Sequence, residues 1–483
     1  MFGNMKIDFL TESEMSMVHD RCFQILTEKG VKVEYKPALK LFENAGARVD
    51  YETEHVYFTR DIIEAALRTV PKEFIARGAA EAHDMKLPHP TGSFYTSTCI
   101  QSMQYHDPAT GRTVDNTVKR FAEWCQLAEV LPNVHKVAIQ TPMDVPHETA
   151  DVHALKVQLE NTSKPLMILA YCPESVDYLF DLLLARAGSA EALKVRPLAL
   201  TYPTSLSPLK FKPMDLMTIQ CSCQYGVPIV GNSLAISGAT APITPAGTAL
   251  LAAVEILAMV VMTQIYQPGH PFVGSVYTTT MDMKTGNALL CNAESMLSRA
   301  VGVQFIKKAF NIPTETFSFM SDSYLSDGQA VLEKSLMPAM LSLAGSDIQY
   351  GMGRLGGPTL ASPVQMVMDD RLFTIIQRSL RGVEINEDTL AMKEIFEHAP
   401  DGQFVANQHT LRYCRDGIRP DLFVADSVDT WKARGGKDLY VRAVEKYNEL
   451  KKEFKPQELP DDVIKEMEKI VKRADEKLVG KLK

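Results

Sequence analysis

The chain has 483 residues, 46% of them hydrophobic and 23% charged, an ordinary balance for a folded globular protein that excludes the fibrous and disordered classes. Its net charge is −8. No segment supplies the dense basic stripe that a phosphate backbone requires, so nucleic acid is excluded as a partner.

The first fifteen residues, MFGNMKIDFLTESEM, lack a basic head followed by an apolar run, so they read as neither a signal nor a transit peptide, and a cytoplasmic protein is expected. From 11 to about 75 the pattern is helical, opening on a capping box in which Thr11 stands three residues before Glu14. Residues 1–90 are therefore expected to form a helical N-terminal segment.

Between about 90 and 380, short β-rich runs alternate with longer stretches of helical periodicity, the signature of repeated βα units. The strands read near 94–98 (FYTST), 136–140 (KVAIQ), 166–171 (LMILAY), 197–202 (PLALTY), 228–233 (PIVGNS), 271–277 (PFVGSVY), 315–321 (ETFSFMS) and 347–352 (DIQYGM). Eight strands, seven intervening helical stretches and an eighth helix near 361–380 match a closed (β/α)8 barrel over 91–382 better than an open sheet. The first strand admits a second reading, a hairpin over 93–106, which would require another strand from beyond 380. The apolar stretch 246–265 is interrupted by Glu255 and Gln264 and follows a strand and turn, so it reads as a buried barrel helix and not as a membrane span. Residues 383–483 are expected as a mixed appendage ending in a charged helix, with Val463, Met467 and Val471 at helical spacing to dock on the same chain.

Several chemistries lack their motifs. No G-x-G-x-x-G follows a strand, and no P-loop, G-x-S-x-G elbow, H-E-x-x-H or paired C-x-x-C occurs. Cys221 and Cys223 lie within a helical segment, and His106, His147, His153, His270 and His409 have no ligand spacing among themselves, so no metal site is expected. The eight cysteines are scattered through apolar segments and read as thiols in a reducing compartment.

In such a barrel the reacting groups stand at the carboxyl ends of strands. That rule selects Tyr95, Thr98, Thr141, Asp144, Tyr171, Tyr202, Thr204, Asn232, Ser233, Tyr277, Thr278, Asp322, Tyr324 and Tyr350, with Gly351 and Gly353. Tyrosine is a favoured strand residue, so any one of these reads as packing. Several ring faces converging on one mouth would attract an onium group, which has no N–H to donate. The segment SDSYLSDGQAVLE adds Asp322, Asp327 and Glu333, although Asp327 alone reads as the cap of the helix opened by Gly328. Asp322 and Tyr277 are taken as candidates for the reaction centre. Tyr95, Tyr105, Tyr202, Asn232, Tyr324, Asp327, Tyr350 and Arg354 are taken as candidates for substrate binding. The loop before Thr244 and Pro245 reads either as a tight turn or as an anion-binding helix start.

The stretches HDPATGRTVD (106–115), SGATAPITPAGTALLAAVEILA (237–258), QPGHPFV (267–273) and SDSYLSDGQAVLE (321–333) together resemble the trimethylamine methyltransferase family, and the likeness runs over most of the chain. The resemblance implies an α/β barrel, a partner corrinoid protein whose cobalt docks over the barrel mouth, and methyl transfer from a methylated amine, with no tightly bound cofactor of the chain's own. The founding members carry pyrrolysine in the barrel, whereas this sequence holds only standard residues. In that respect it is similar to the members acting on quaternary amines such as glycine betaine, proline betaine or carnitine. For a betaine carboxylate, the candidates are Arg354, Asn232 or the backbone of the 238–247 loop. A non-catalytic quaternary-ammonium-binding barrel, or a scaffold for the corrinoid protein, is the alternative. The oligomeric state, homo-oligomer included, stays open.

Overall fold

Eight short apolar runs form parallel strands: β1 Tyr95–Thr98, β2 Val137–Ala138, β3 Leu166–Ile168, β4 Ala199–Thr201, β5 Ile229–Ser233, β6 Phe272–Val276, β7 Thr314–Phe317 and β8 Ile348–Met352. The structure, a computed structural model, describes residues 5–357, 359–400, 402–418 and 421–481. Hydrogen bonding passes from β2 through β3, β4, β5, β6, β7 and β8 to β1, and a parallel bridge between Ser97 and Lys136 joins β1 to β2 and closes the ring. Closure leaves no unpaired sheet edge. Each strand is followed by a helix: α1 Val118–Val130, α2 Ala150–Asn161, α3 Val176–Ala187, α4 Pro213–Tyr225, α5 Pro245–Tyr266, α6 Ala293–Phe305, α7 Gly328–Ala344 and α8 Pro363–Leu380. The (β/α)8 barrel expected from strand counting is therefore the fold. The first strand is a true barrel strand, and the hairpin reading of 93–106 does not hold; a different hairpin follows it, with Gln104–His106 paired to Thr113–Asp115.

The most apolar helix, α5, is wrapped on all sides. It packs inward on β5 and β6, sideways on α6, and outward under the helices Glu12–Gln24 and Arg60–Thr69. A helix covered all round has no need of a polar face. The side chain of Thr244 accepts from the Gly247 N–H, and Pro245 opens the first turn. Glu255 is the exception in the apolar run and is fully buried. Its carboxylate accepts from the hydroxyls of Ser205 (2.6 Å), Ser207 (2.8 Å) and Ser233 (2.6 Å) and from the Leu209 N–H (2.8 Å). The charge is thus satisfied by donors from the loop after β4 and from the end of β5.

Two expectations are corrected. The N-terminal segment is mixed and not helical throughout: helices Glu12–Gln24, Lys36–Asn44 and Arg60–Thr69 alternate with strands Val31–Val33, Arg48–Asp50 and His55–Tyr57. Those strands form a four-stranded sheet with Lys210–Phe211 of the loop after β4. Each is too short to break a helical pattern in sequence, and the partner that completes the sheet comes from far along the chain. The appendage is mostly helical, with short helices Glu387–Leu390, Met392–His398, Gln408–Tyr413 and Val428–Ala433 before Leu439–Leu450, which packs on α8. The final helix, Asp461–Leu478, docks on α2 and α3 of the same chain as expected, burying Met467, Ile470, Val471, Ala474 and Leu478. Asp475 fixes its register, accepting from the Thr149 hydroxyl (2.5 Å) and pairing with His153 (3.1 Å).

Replacing Glu255 by Leu strands the Ser207 and Ser233 hydroxyls and the Leu209 N–H between α5 and the barrel, while Ser205 keeps its longer bond to the Asn232 carbonyl (3.5 Å). The expected loss is about 3 kcal/mol or more, since each orphaned buried donor costs roughly 1–3 kcal/mol. A markedly lower urea midpoint for Glu255→Leu, with a smaller drop for Glu255→Gln, checks it.

Candidate active site

Residues just past the strand ends converge on a cavity of about 580 Å³ at the carboxyl-terminal face of the barrel. Ile100, Met103, Met167, Leu169, Met214 and Leu234 give it an apolar wall, and Tyr171, Tyr202, Tyr277 and Tyr350 present rings to it. No Asp or Glu lines it among the described residues, and Lys212 is the sole Lys or Arg to do so. The rings are wedged together. Phe317 of β7 lies 4.5 Å from Tyr277 and 4.5 Å from Tyr350, and those two tyrosines meet edge to face at 6.1 Å and 80°. Burial pushes both phenols up from their ordinary pKa, that of Tyr350 strongly, so both stay neutral at physiological pH. Arg299 of α6 holds this wall from its own side, donating to the carbonyls of Thr278 (2.8 Å) and Phe317 (3.0 Å).

Tyr202 also belongs to an ionic network inside the barrel. Lys136, at the start of β2, pairs with Glu315 of β7 at 2.6 Å, and both side chains are completely buried. The Tyr202 hydroxyl donates to Glu315 (2.8 Å to Oε2) and its oxygen accepts from the Lys136 ammonium. Burial pulls the Lys136 pKa down, opposed by the attraction of Glu315. Burial, with the Glu315 charge beside it, holds the Tyr202 phenol well above its ordinary value. The pair has no net charge. It fixes the tyrosine ring against the cavity without adding a field of its own sign.

Thr141, Tyr171 and Thr204 of the strand-end set line this cavity, and of the ten residues taken as reaction-centre or substrate-binding candidates Tyr202, Asn232, Tyr277 and Tyr350 join them. Six others do not. Tyr95 stands at the opposite, amino-terminal end of the barrel as the first residue of β1, its ring tilted against His89 (4.5 Å) and edge-on to His135 (5.3 Å). Tyr105 is buried in the hairpin after β1, beside Tyr447 of the appendage. Tyr324 is 66% exposed and lies over Gly356, where a Cβ would meet its ring at 2.5 Å. Asp327 is the cap of α7, accepting from the Ala330 N–H (3.0 Å) and the Ser323 hydroxyl (3.0 Å), and these bonds hold its carboxyl low. Arg354 is buried and donates to the Ser102 hydroxyl (3.0 Å) and the Ile100 carbonyl, holding the loop after β1 in place. Asp322 does not line the cavity. It accepts from the N–H groups of Leu290 (3.1 Å) and Cys291 (3.1 Å), stitching the loop after β6 to the loop after β7, and burial raises its pKa. The loop 238–247 also stays off the cavity wall.

The same stitch brings the Cys291 thiol and the carboxylates of Asp322 and Glu333 within 4.8 Å of one another. Glu333 is already engaged by the Ser321 hydroxyl (2.6 Å) and the Asp322 N–H (3.0 Å). Around the mouth the βα loops carry exposed apolar side chains: Met103 after β1, Met143 after β2, Leu234 and Ile243 after β5, Met283 after β6 and Leu325 after β7.

Sequence reasoning missed Lys136, Glu315 and Lys212. For the first two a signal existed: KVAIQ and ETFSFMS each carry a charge inside a run buried on both faces, and buried charges must be paired. Lys212 escaped because only the residues next to each strand were inspected, whereas it closes the loop after β4.

A closed barrel with a ring-lined cavity at its carboxyl face defines an enzyme that takes a small ligand among aromatic side chains. Residues 3–478 match the family model of the trimethylamine methyltransferases (MTTB), and the chain belongs to that family, as a methyltransferase. It is 27% identical to the trimethylamine methyltransferase MttB of Desulfitobacterium hafniense, over 96% of this chain and 94% of that protein. To the glycine betaine methyltransferase of the same species it is 24% identical, over 95% of each chain. Among solved structures, the Methanosarcina barkeri monomethylamine methyltransferase MtmB shares the fold, with a TM-score of 0.55 at 14% identity, over 92% of this chain and 88% of that one.

Removing one partner of the Lys136–Glu315 pair leaves a bare charge in the barrel. Glu315→Leu is expected to lose about 3–5 kcal/mol of stability, and the double variant Lys136→Met/Glu315→Leu to recover most of it. Urea-denaturation midpoints of the single and double variants test this.

Proposed function

We propose that this methyltransferase moves an N-methyl group from a betaine-type quaternary amine to the Co(I) centre of a corrinoid carried by a partner protein. The observation that carries the reading is a mouth lined, among the described residues, by four tyrosines and by no carboxylate. A quaternary ammonium donates no hydrogen bond, and ring faces are the groups that hold it. The cobalt lone pair forms the Co–C bond as the C–N bond breaks with its electrons passing to nitrogen, so a neutral tertiary amine leaves and no proton moves. A carboxylate against the ammonium would stabilise the ground state more than the transition state, in which the charge is fading. Rings hold the cation in place with less of that penalty.

The chain's own task is then to aim one methyl outward and to exclude water. Phe317, wedged between Tyr277 and Tyr350, and the buried network under Tyr202 hold those rings in fixed positions. The acceptor is the larger reactant, and the apolar residues around the mouth suit a protein that seals against it. The cavity is roomier than a small amine needs, which leaves space for the acceptor to enter. All eight cysteines are free thiols, in keeping with the reducing cytoplasm that Co(I) requires.

Incubation with a corrinoid protein in the Co(I) state and glycine betaine, proline betaine or carnitine is expected to produce methyl-Co(III) absorbance. Tyr277→Ala and Tyr350→Ala are each expected to lower kcat/KM about three- to thirtyfold, the worth of one cation–π contact. The Phe variants, which keep the ring, are expected to stay near wild type. Absence of methylation with every quaternary amine, or equal loss in the Phe and Ala variants, refutes the reading.

A further inference from the structure

The cavity is electrostatically lopsided. Tyr171, Tyr202, Tyr277 and Tyr350 supply its rings, while its one Lys or Arg among the described residues, Lys212, closes the loop after β4 just before Pro213 opens α4. The carboxylate nearest to Lys212 in sequence is otherwise employed: Asp215 accepts from the N–H groups of Lys212 (3.1 Å) and Thr204 (3.1 Å) and so fixes the loop on which Lys212 stands. Among the described residues, the Lys212 ammonium makes no salt bridge, and Asp215 feels it only as a longer-range charge.

A second polar group, Asn232, stands on the same cavity but has no donor to spare. Asn232, at 7% exposure, is buried at the end of β5. Its NH2 donates to the Thr204 hydroxyl at 3.4 Å, and its carbonyl oxygen, an acceptor, has no partner. Thr204 in turn gives its one hydroxyl proton to the Tyr202 carbonyl (3.3 Å), which fixes the amide with its NH2 towards Thr204.

We propose that Lys212 is the anchor for a carboxylate, so that the site selects zwitterionic quaternary amines over quaternary amines lacking a carboxylate. The inference rests on the quaternary-amine reading above and names the group that sets specificity within it. Charge sorting orients the substrate: the ammonium goes to the carboxylate-free rings, and the carboxylate goes to the ammonium of Lys212, where a charge-assisted hydrogen bond is strong. That arrangement keeps the anion off the methyl groups and leaves them free to face the acceptor. Arg354, buried in the support of the loop after β1, is not required for it.

The test is calorimetric titration of the full-length protein with glycine betaine and carnitine, and with choline and tetramethylammonium, which lack the carboxylate. Lys212→Met is expected to weaken the first two about ten- to hundredfold and to leave the second two within about twofold of wild type. Lys212→Arg is expected to retain the preference, and Lys212→Glu to reverse it. Lys212 is only half-buried, so these variants keep the fold. Equal weakening of all four ligands by Lys212→Met, or unchanged betaine binding, overturns the carboxylate assignment while leaving the quaternary-amine reading intact. A wild-type protein that binds none of the four overturns both.

Discussion

An eight-stranded ring of parallel strands has an interior only wide enough for side chains, and whatever stands there must be neutral as a set or be expelled. Here the set is Lys136, Glu315 and the hydroxyl of Tyr202, drawn from the start of β2, from β7 and from the residue just past β4. The ion pair ties together strands that are not neighbours in the sheet, and it is satisfied without water. Its neutrality has a consequence one layer up: the cavity above it receives neither a strong positive nor a strong negative field from below. The quadrupoles of the tyrosine rings are then left to define what binds.

That division recurs around the mouth. Charged residues conspicuous in the sequence are mostly engaged in holding loops. Asp322 stitches the loops after β6 and β7, Arg354 holds the loop after β1, Asp327 caps α7 and Asp215 shapes the loop after β4. What reaches the cavity is mainly apolar, aromatic or amide, with one ammonium. A cation whose charge disappears as it reacts is better served by such a surface than by a fixed anion, since a surface that grips the charge tightly resists its loss. The apolar side chains on the surrounding loops complete the arrangement by giving a large acceptor something to press against as water is excluded.

The barrel was legible because each buried strand leaves a short apolar run and each helix a longer periodic one, so counting sufficed. Tyr202, Asn232, Tyr277 and Tyr350 were legible because parallel strands put their carboxyl ends on one face. Tyr95 and Tyr105 were misplaced for a related reason: the rule concerns strand ends, and one tyrosine begins β1 while the other lies in the hairpin beyond it. Tyr324 follows β7 yet points outward, because the turn before α7 is committed to capping that helix. The N-terminal strands were hidden because their sheet is completed by Lys210–Phe211, a partner distant in sequence.

By itself the amino-acid sequence determined the (β/α)8 architecture, the α5 helix with its capped start, the docking of the final helix and the family to which the chain belongs, all of which follow from local periodicity and contiguous motifs. Only the tertiary structure decided that Lys136 pairs with Glu315, that the carboxylates at the mouth serve loops and not the cavity, and that Lys212 shares that cavity with the tyrosines. Those facts depend on where the ring closes and how each βα loop folds back over it, and separation in space is not written in separation along the chain.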